Sequence, residues 1–235
     1  LSFNNIADMS SAYNLVNEFV GVYCCAIIKH SNPCGVAIGE NTSDAYMKAD
    51  IILVSVPTNY SSEENKFDTS AVDKTIKEIY KNNKNANVVI KSTIPIGYTK
   101  MVEKEYPSLN IMFSPEFLRE EHAYEDVFYP SRLIIGADSQ SKKIERFENL
   151  LESSIKNGEK VIYMSSLEAE TTKLFSNAYL AMRVAFFNEL DSFALQEDIN
   201  AKKVIKAIGQ DPRIGDYYNN PGFSFSGYCL PKDTK

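Results

Sequence analysis

At 235 residues the chain has room for one large domain or two small ones. Its 44% apolar and 24% charged residues are enough to bury a sizeable core, and no apolar run approaches the ~20 residues of a membrane span. With 25 basic against 31 acidic residues, a net charge of −6, it lacks the positive surface that draws nucleic acid or an anionic membrane.

In chain order, strand-like runs occur at 22–28, 51–56, 88–91, 110–113, 132–135 and 160–164. They are short, rich in Ile and Val, and not alternating, which predicts strands covered on both faces of a parallel sheet. Helical spacing lies between several of them. Ala12, Leu15, Val16 and Phe19 form one apolar stripe, and Val72, Ile76, Ile79 and Tyr80 form another behind a Ser70-x-x-Asp73 start signal. Ile144, Phe147 and Leu151 mark a third. Such alternation reads as β-α-β units, an α/β chain.

After Met164 the pattern changes. Ser165-x-x-Glu168 is a capping box that opens a run to about Gln196 without Gly or Pro, a helix of roughly 44 Å. Its middle, 178–187, is apolar on nearly every side except at Arg183, which predicts burial all round, against its own domain and a second subunit. A short helix follows, with Asn200 as cap, Val204, Ile205 and Ile208 as its face, and Gly209 as its stop. Residues 211–235 read as loop.

The four cysteines (Cys24, Cys25, Cys34 and Cys229) have no framework spacing, and the chain opens without the regions of a secretory signal. Both features predict a reducing, cytoplasmic setting. Two histidines, His30 and His122, are too few for an imidazole cluster, and no metal site is expected. Cys229 lies in a polar, Gly-rich stretch beside Lys232 and Asp233. It reads as an activated thiolate or as a buried structural thiol. Lys173 and Asn177, spaced i, i+4, share one face of the long helix. Glu116 and Glu120 follow a strand at its carboxyl end, where α/β sheets take ligands. Thr58 and Thr93 close two earlier strands, either lining a nucleotide crevice or capping the helices that follow.

The motifs VPTNY at 56–60, KSTIPIG at 91–97, SPEFLRE at 114–120, YPSRLIIG at 129–136, EAETTKLFSNAYLAMRVAFFNEL at 168–190, DPRIG at 211–215 and GYCLPKD at 227–233 stand in that order. Together they resemble the UDP-glucose/GDP-mannose dehydrogenase family over about residues 50–235. The resemblance implies an incomplete Rossmann-like parallel-sheet domain over 50–164. It implies an all-α domain over 165–235, built on one long central helix whose 168–196 stretch joins a homodimer. The implied activity is oxidation of UDP-glucose to UDP-glucuronate in two steps with NAD as cofactor, through a Cys-bound thiohemiacetal and thioester.

By the same resemblance, Cys229 is the nucleophile, Lys173 stabilises the oxyanion and Asn177 orients the substrate. Thr93, Glu116 and Asp233 hold a catalytic water and manage protons. Thr58, Thr93, Glu120 and Lys232 lie near the cofactor. Phe117, Leu118, Arg213, Tyr217, Tyr218, Asn219, Phe223 and Gly227, with Glu116, Lys173 and Asn177, bind the sugar nucleotide. The family's G-x-G-x-x-G opening turn is not found, and its C-terminal domain is not present by Lys235, so impaired activity is expected of this chain.

Residues 1–49 carry a second resemblance, on SFNNIAD at 2–8 and IKHSNPCGVAIG at 28–39. These are similar to an AICAR transformylase, in which the pair matching Lys29 and His30 serves formyl transfer. The expectation is a composite chain. Its alternative functions are a fragment of purine-biosynthetic formyl transfer or a non-catalytic dimerising remnant.

Overall fold

Short β-rich runs pair into one central sheet because both of its faces are covered. In the computed structural model, which describes residues 23–29, 32–39, 47, 49–61, 63–64, 66–119, 122–138, 142–222 and 233–234, the elements follow in simple order. They are β1 (Tyr23–Lys29), β2 (Asn32–Gly39), β3 (Ile51–Val54), β4 (Asn59–Ser61), β5 (Lys66–Asp68), α1 (Ser70–Asn82), β6 (Asn87–Ile90) and α2 (Tyr98–Glu105). Then come β7 (Asn110–Phe113), α3 (Ala123–Phe128), β8 (Leu133–Gly136), α4 (Lys142–Ser154), β9 (Val161–Met164), α5 (Ser166–Gln196) and α6 (Ala201–Gly209). The chain divides into two units, residues 1–59 with 67–171, and residues 60–66 with 172–235.

The first unit holds a five-stranded sheet in the order β3-β6-β7-β8-β9, the α/β sheet that the sequence predicts. β3, β6 and β7 are parallel, as are β8 and β9. Every residue of β6 is buried, since its side chains alternate between two apolar clusters. Val88 and Ile90 join Ile52, Ile76, Ile111 and Phe113. Val89 joins Met112, Ile135, Ile144 and Phe147. The helices α1 and α4 supply Ile76 and Phe147 to these clusters, the arrangement expected of β-α-β units.

Two expectations about the sheet are corrected. The strand near 22–28 is present as β1 but does not enter the parallel sheet; it pairs antiparallel with β2, Lys29 facing Asn32. Two residues separate the strands, too few for the crossover that a parallel neighbour needs. Secondly, β7 and β8 meet antiparallel through the single pair Phe113 and Gly136, the last residue of each. The connection carries only the six-residue α3, so the chain stays at the carboxyl edge and β8 runs back towards it. The helix expected around 12–19 lies outside the described residues.

Caps behave as the residue types require. Ser165 N donates to Glu168 Oε2 at 2.8 Å and Glu168 N to Ser165 Oγ at 3.3 Å, a reciprocal capping box at the start of α5. Asn200 Oδ1 accepts from Lys203 N at 3.1 Å at the start of α6. The Ser70-x-x-Asp73 start signal is corrected: α1 begins at Ser70 with Thr69 as its cap, and Thr69 Oγ1 caps no backbone N–H but donates to Asp73 Oδ2 at 3.0 Å.

α5 is 31 residues long. Ala181, Phe187 and Ala194 on it are buried, while Phe175, Tyr179, Met182, Phe186 and Phe193 are exposed. Burial all round is therefore not met within the single chain. Among the described residues, no helix is long and apolar enough to cross a membrane.

Candidate active site

In the first unit the loops at the carboxyl edge are tied down by their own polar side chains. Ser92, directly after β6, is buried and donates from Oγ to Val56 O at 2.6 Å, joining the loop after β6 to the loop after β3. Thr93 follows, half-buried, and Thr58 is buried. The far end of the β6 loop is held by Glu170, an early residue of α5 with 1% exposure. Its carboxylate accepts from Gly97 N at 2.5 Å and Thr99 N at 2.8 Å, satisfying two open donors at the start of α2.

After β7 the chain continues through Ser114 and Pro115 to Glu116. Lys91 Nζ lies 2.8 Å from Glu116 Oε2 and donates to Ser114 Oγ at 3.4 Å. The ammonium is mostly buried while the carboxylate is nearly half exposed, so Glu116 keeps one side open to solvent. Phe117 is half-buried under the guanidinium of Arg132, 3.8 Å from its ring centre, and Leu118 is half-buried beside it. Arg119 forks onto Asp126 at 2.7 and 3.0 Å and also donates from its backbone N. That fork, ahead of the other contacts, holds the Asp126 carboxyl below its ordinary range.

Hydroxyl and backbone groups at the ends of β3 and β6 are the donor set that suits ribose and phosphate oxygens, at the edge where parallel sheets receive nucleotides. Thr58 and Thr93 thus fit a role in holding the NAD expected from the sequence.

In the second unit, Lys173 and Asn177 lie one turn apart on α5. Lys173 is half-buried and Asn177 is buried. Asn177 Nδ2 donates to Asp233 Oδ2 at 2.6 Å, with Asp233 only 6% exposed. This contact joins positions 56 residues apart and seats the last acid of the GYCLPKD segment against the helix. Arg213 and Tyr217 are strongly exposed and Tyr218 is partly so; Arg213 is forked onto Asp211 at 2.6 and 3.0 Å. Asn219 is buried: its Oδ1 accepts from Arg183 and its Nδ2 donates to Gly215 O at 2.9 Å. Cys229, Lys232, Glu120, Phe223 and Gly227 lie outside the described residues.

The sequence assigns no role to Lys91, Glu170 or Arg183, although Arg183 stands out there as the charge within an apolar helix stretch. Each carried a signal, as a charged residue set against an apolar strand end or inside an apolar helix. Their partners, 25, 73 and 36 residues away in the bonds to Glu116, Gly97 and Asn219, were not legible.

Comparison with known proteins follows the same division. The NAD binding domain of the UDP-glucose/GDP-mannose dehydrogenase family matches residues 26–176, and its central domain matches residues 167–235. The first match begins inside the 1–49 segment, and the comparisons do not support the transformylase resemblance. A UDP-glucose 6-dehydrogenase of Campylobacter jejuni is 50% identical over 200 residues, covering 83% of this chain and 50% of the relative. One from Streptococcus pneumoniae is 46% identical over 195 residues, covering 81% of this chain and 50% of the relative. The chain spans about half the length of these curated relatives. Among solved structures, a UDP-glucose dehydrogenase from Pyrobaculum islandicum superposes with a TM-score of 0.72 at 30% identity, covering 83% of this chain and 46% of that one. With the NAD binding domain matching more than half of its residues, the chain belongs to the UDP-glucose/GDP-mannose dehydrogenase family.

Proposed function

We propose that the protein oxidises the sugar alcohol of UDP-glucose twice, to UDP-glucuronate. NAD, when bound, supplies the hydride acceptor for both oxidations. Thr58 and Thr93 would hold it, with Glu120 and Lys232 nearby. An aldehyde has no second hydride to lose on the way to an acid until a nucleophile has added to its carbon. The Cys229 thiolate forms a C–S bond to that carbon, and the oxygen takes a proton to give a thiohemiacetal. The second oxidation turns this into a thioester. Water then adds, the C–S bond breaks, and the carboxylate leaves with the thiolate restored.

Lys173 places a fixed cation where negative charge develops on the reacting oxygen. Asn177 orients the sugar, while Thr93, Glu116 and Asp233 hold the water and move its protons. Phe117, Leu118, Arg213, Tyr217, Tyr218, Asn219, Phe223 and Gly227 form the sugar-nucleotide contacts.

The observation that supports this reading best is the buried bond from Asn177 to Asp233. It sets the acid four residues beyond Cys229 against the helix face that carries Lys173 one turn away. The test is NADH formation from UDP-glucose, two NADH per sugar. The Cys229→Ser variant should lose turnover on the order of 10³-fold or more. Intact turnover in that variant, or no NADH from the unsubstituted protein, removes the proposal.

A homodimer through α5 belongs to the same reading. Phe175, Tyr179, Met182 and Phe186 are 66%, 55%, 61% and 58% exposed, and their i, i+4, i+7, i+11 spacing makes one stripe. A contiguous apolar stripe of this kind marks an interaction surface. The cytoplasm is the setting that keeps the Cys229 thiol reduced.

A further inference from the structure

Arg183 stands in the apolar middle of α5, and the proposed chemistry leaves it without a task. Its guanidinium makes five hydrogen bonds to one loop. Nε donates to Tyr217 O at 2.5 Å and to Asn219 Oδ1 at 3.1 Å. Nη2 donates to Ile214 O at 2.8 Å, Gly215 O at 3.0 Å and Asn219 Oδ1 at 2.7 Å. Three main-chain carbonyls and one side-chain amide therefore converge on a single planar group, which also lies 5.8 Å from the Phe187 ring centre.

The loop so gathered is shaped for this. Gly215 and Tyr218 take left-handed backbone angles, φ +69° and +56°, which turn successive carbonyls inward. On its other side the loop rests on the end of α6, where a Cβ on Gly209 would stand 2.5 Å from Asp216 Oδ1. With the carbonyls turned onto Arg183, the side chains of Arg213 and Tyr217 remain outside, at 87% and 79% exposure.

We propose that Arg183 is the positioning residue of the sugar-nucleotide loop. It does not touch substrate; it fixes residues 214–219 in advance, so that Arg213, Tyr217 and Tyr218 are presented without an ordering cost at binding. A lysine keeps the charge but loses the planar fork, and its three donors cannot satisfy four acceptors. The inference rests on the function proposed above.

The experiment is the Arg183→Lys substitution in the full-length protein, read in two ways. Steady-state kinetics should show KM for UDP-glucose raised about tenfold or more, with kcat within about threefold and KM for NAD unchanged. Hydrogen exchange should quicken about tenfold or more at the Ile214 and Gly215 amides, which donate to Asp211 O at 2.9 and 2.8 Å, while α6 amides hold their rates. Asn219→Ala, which removes the acceptor of two of the five bonds, should quicken exchange at the same two amides by less.

An unchanged KM for UDP-glucose in an active Arg183→Lys enzyme overturns the inference and leaves the function standing. Unchanged exchange at Ile214 and Gly215 overturns it whatever the activity. No NADH from the unsubstituted protein overturns the function and, with it, the substrate role given to Arg183.

Discussion

The sheet of the first unit and the long helix α5 use the same kinds of apolar residue and reach opposite results. Along β6, Val88, Val89 and Ile90 are completely buried, because neighbouring strands and the helices α1 and α4 close both faces. Along α5, Ala181, Phe187 and Ala194 are buried, whereas Phe175, Met182 and Phe186 keep more than half of their surface. A sheet strand takes its partners from the same domain, so its core is complete in one chain. A helix of 31 residues offers more apolar perimeter than one short chain segment covers. The lesson is that burial is completed within one chain in the first region and left incomplete by that chain in the second.

That contrast can be broken experimentally. The largest effect is expected in the sheet. Phe113, at 0% exposure in the larger cluster, leaves a cavity when cut to Ala, and Phe113→Ala should cost about 3–5 kcal/mol in denaturant unfolding. A loss under about 1 kcal/mol would mean that the core is not closed. The helix should answer differently. Phe186→Glu should leave that unfolding transition in place and weaken self-association about a hundredfold, about 2.7 kcal/mol, in sedimentation equilibrium. If the unsubstituted protein sediments as a monomer at all concentrations, the helix face has another purpose.

The smallest effect concerns the loop beside Glu116. The Arg119 fork lowers the Asp126 pKa in the folded state, so its contribution is complete above the unfolded carboxyl value, about pH 4. It is lost as pH falls through the lower, folded value. Arg119 is half exposed, so solvent screens the pair to under about 1 kcal/mol. Arg119→Ala should therefore lower stability by under about 1 kcal/mol at neutral pH, where the contribution is complete, change nothing once the pH is below the folded value, and so flatten the acid limb of a stability-against-pH curve. An unaltered acid limb would show that the fork contributes nothing to stability.

Much of this molecule can be read from neighbouring residues. Ser165 and Glu168 announce the start of α5, and Asn200 the start of α6, because a cap acts within three residues of itself. The strands β3 and β6 declare themselves by runs of Ile and Val, and β7 by the apolar run Ile111-Met112-Phe113. The motif order from residue 56 to 233 points to the family before any fold is drawn. The candidate acids and the Lys173–Asn177 pair follow from the same local spacing.

The partners across long stretches of chain do not. β8 looks like the strands of the parallel sheet but reverses against β7, where Phe113 meets Gly136. Arg183 resembles a stray charge until residues 214–219 fold around it, and Lys91 until Glu116 arrives beside it. Helix starts, strand runs and motif order were determined by the sequence itself, since they arise from steric and hydrogen-bonding preferences among close neighbours. Strand direction, the seating of Asp233 on Asn177 and the fork of Arg183 were decided only by the tertiary structure. Their energies come from bringing residues that lie 23 or more positions apart into contact, and local preference is indifferent to which of many partners is met.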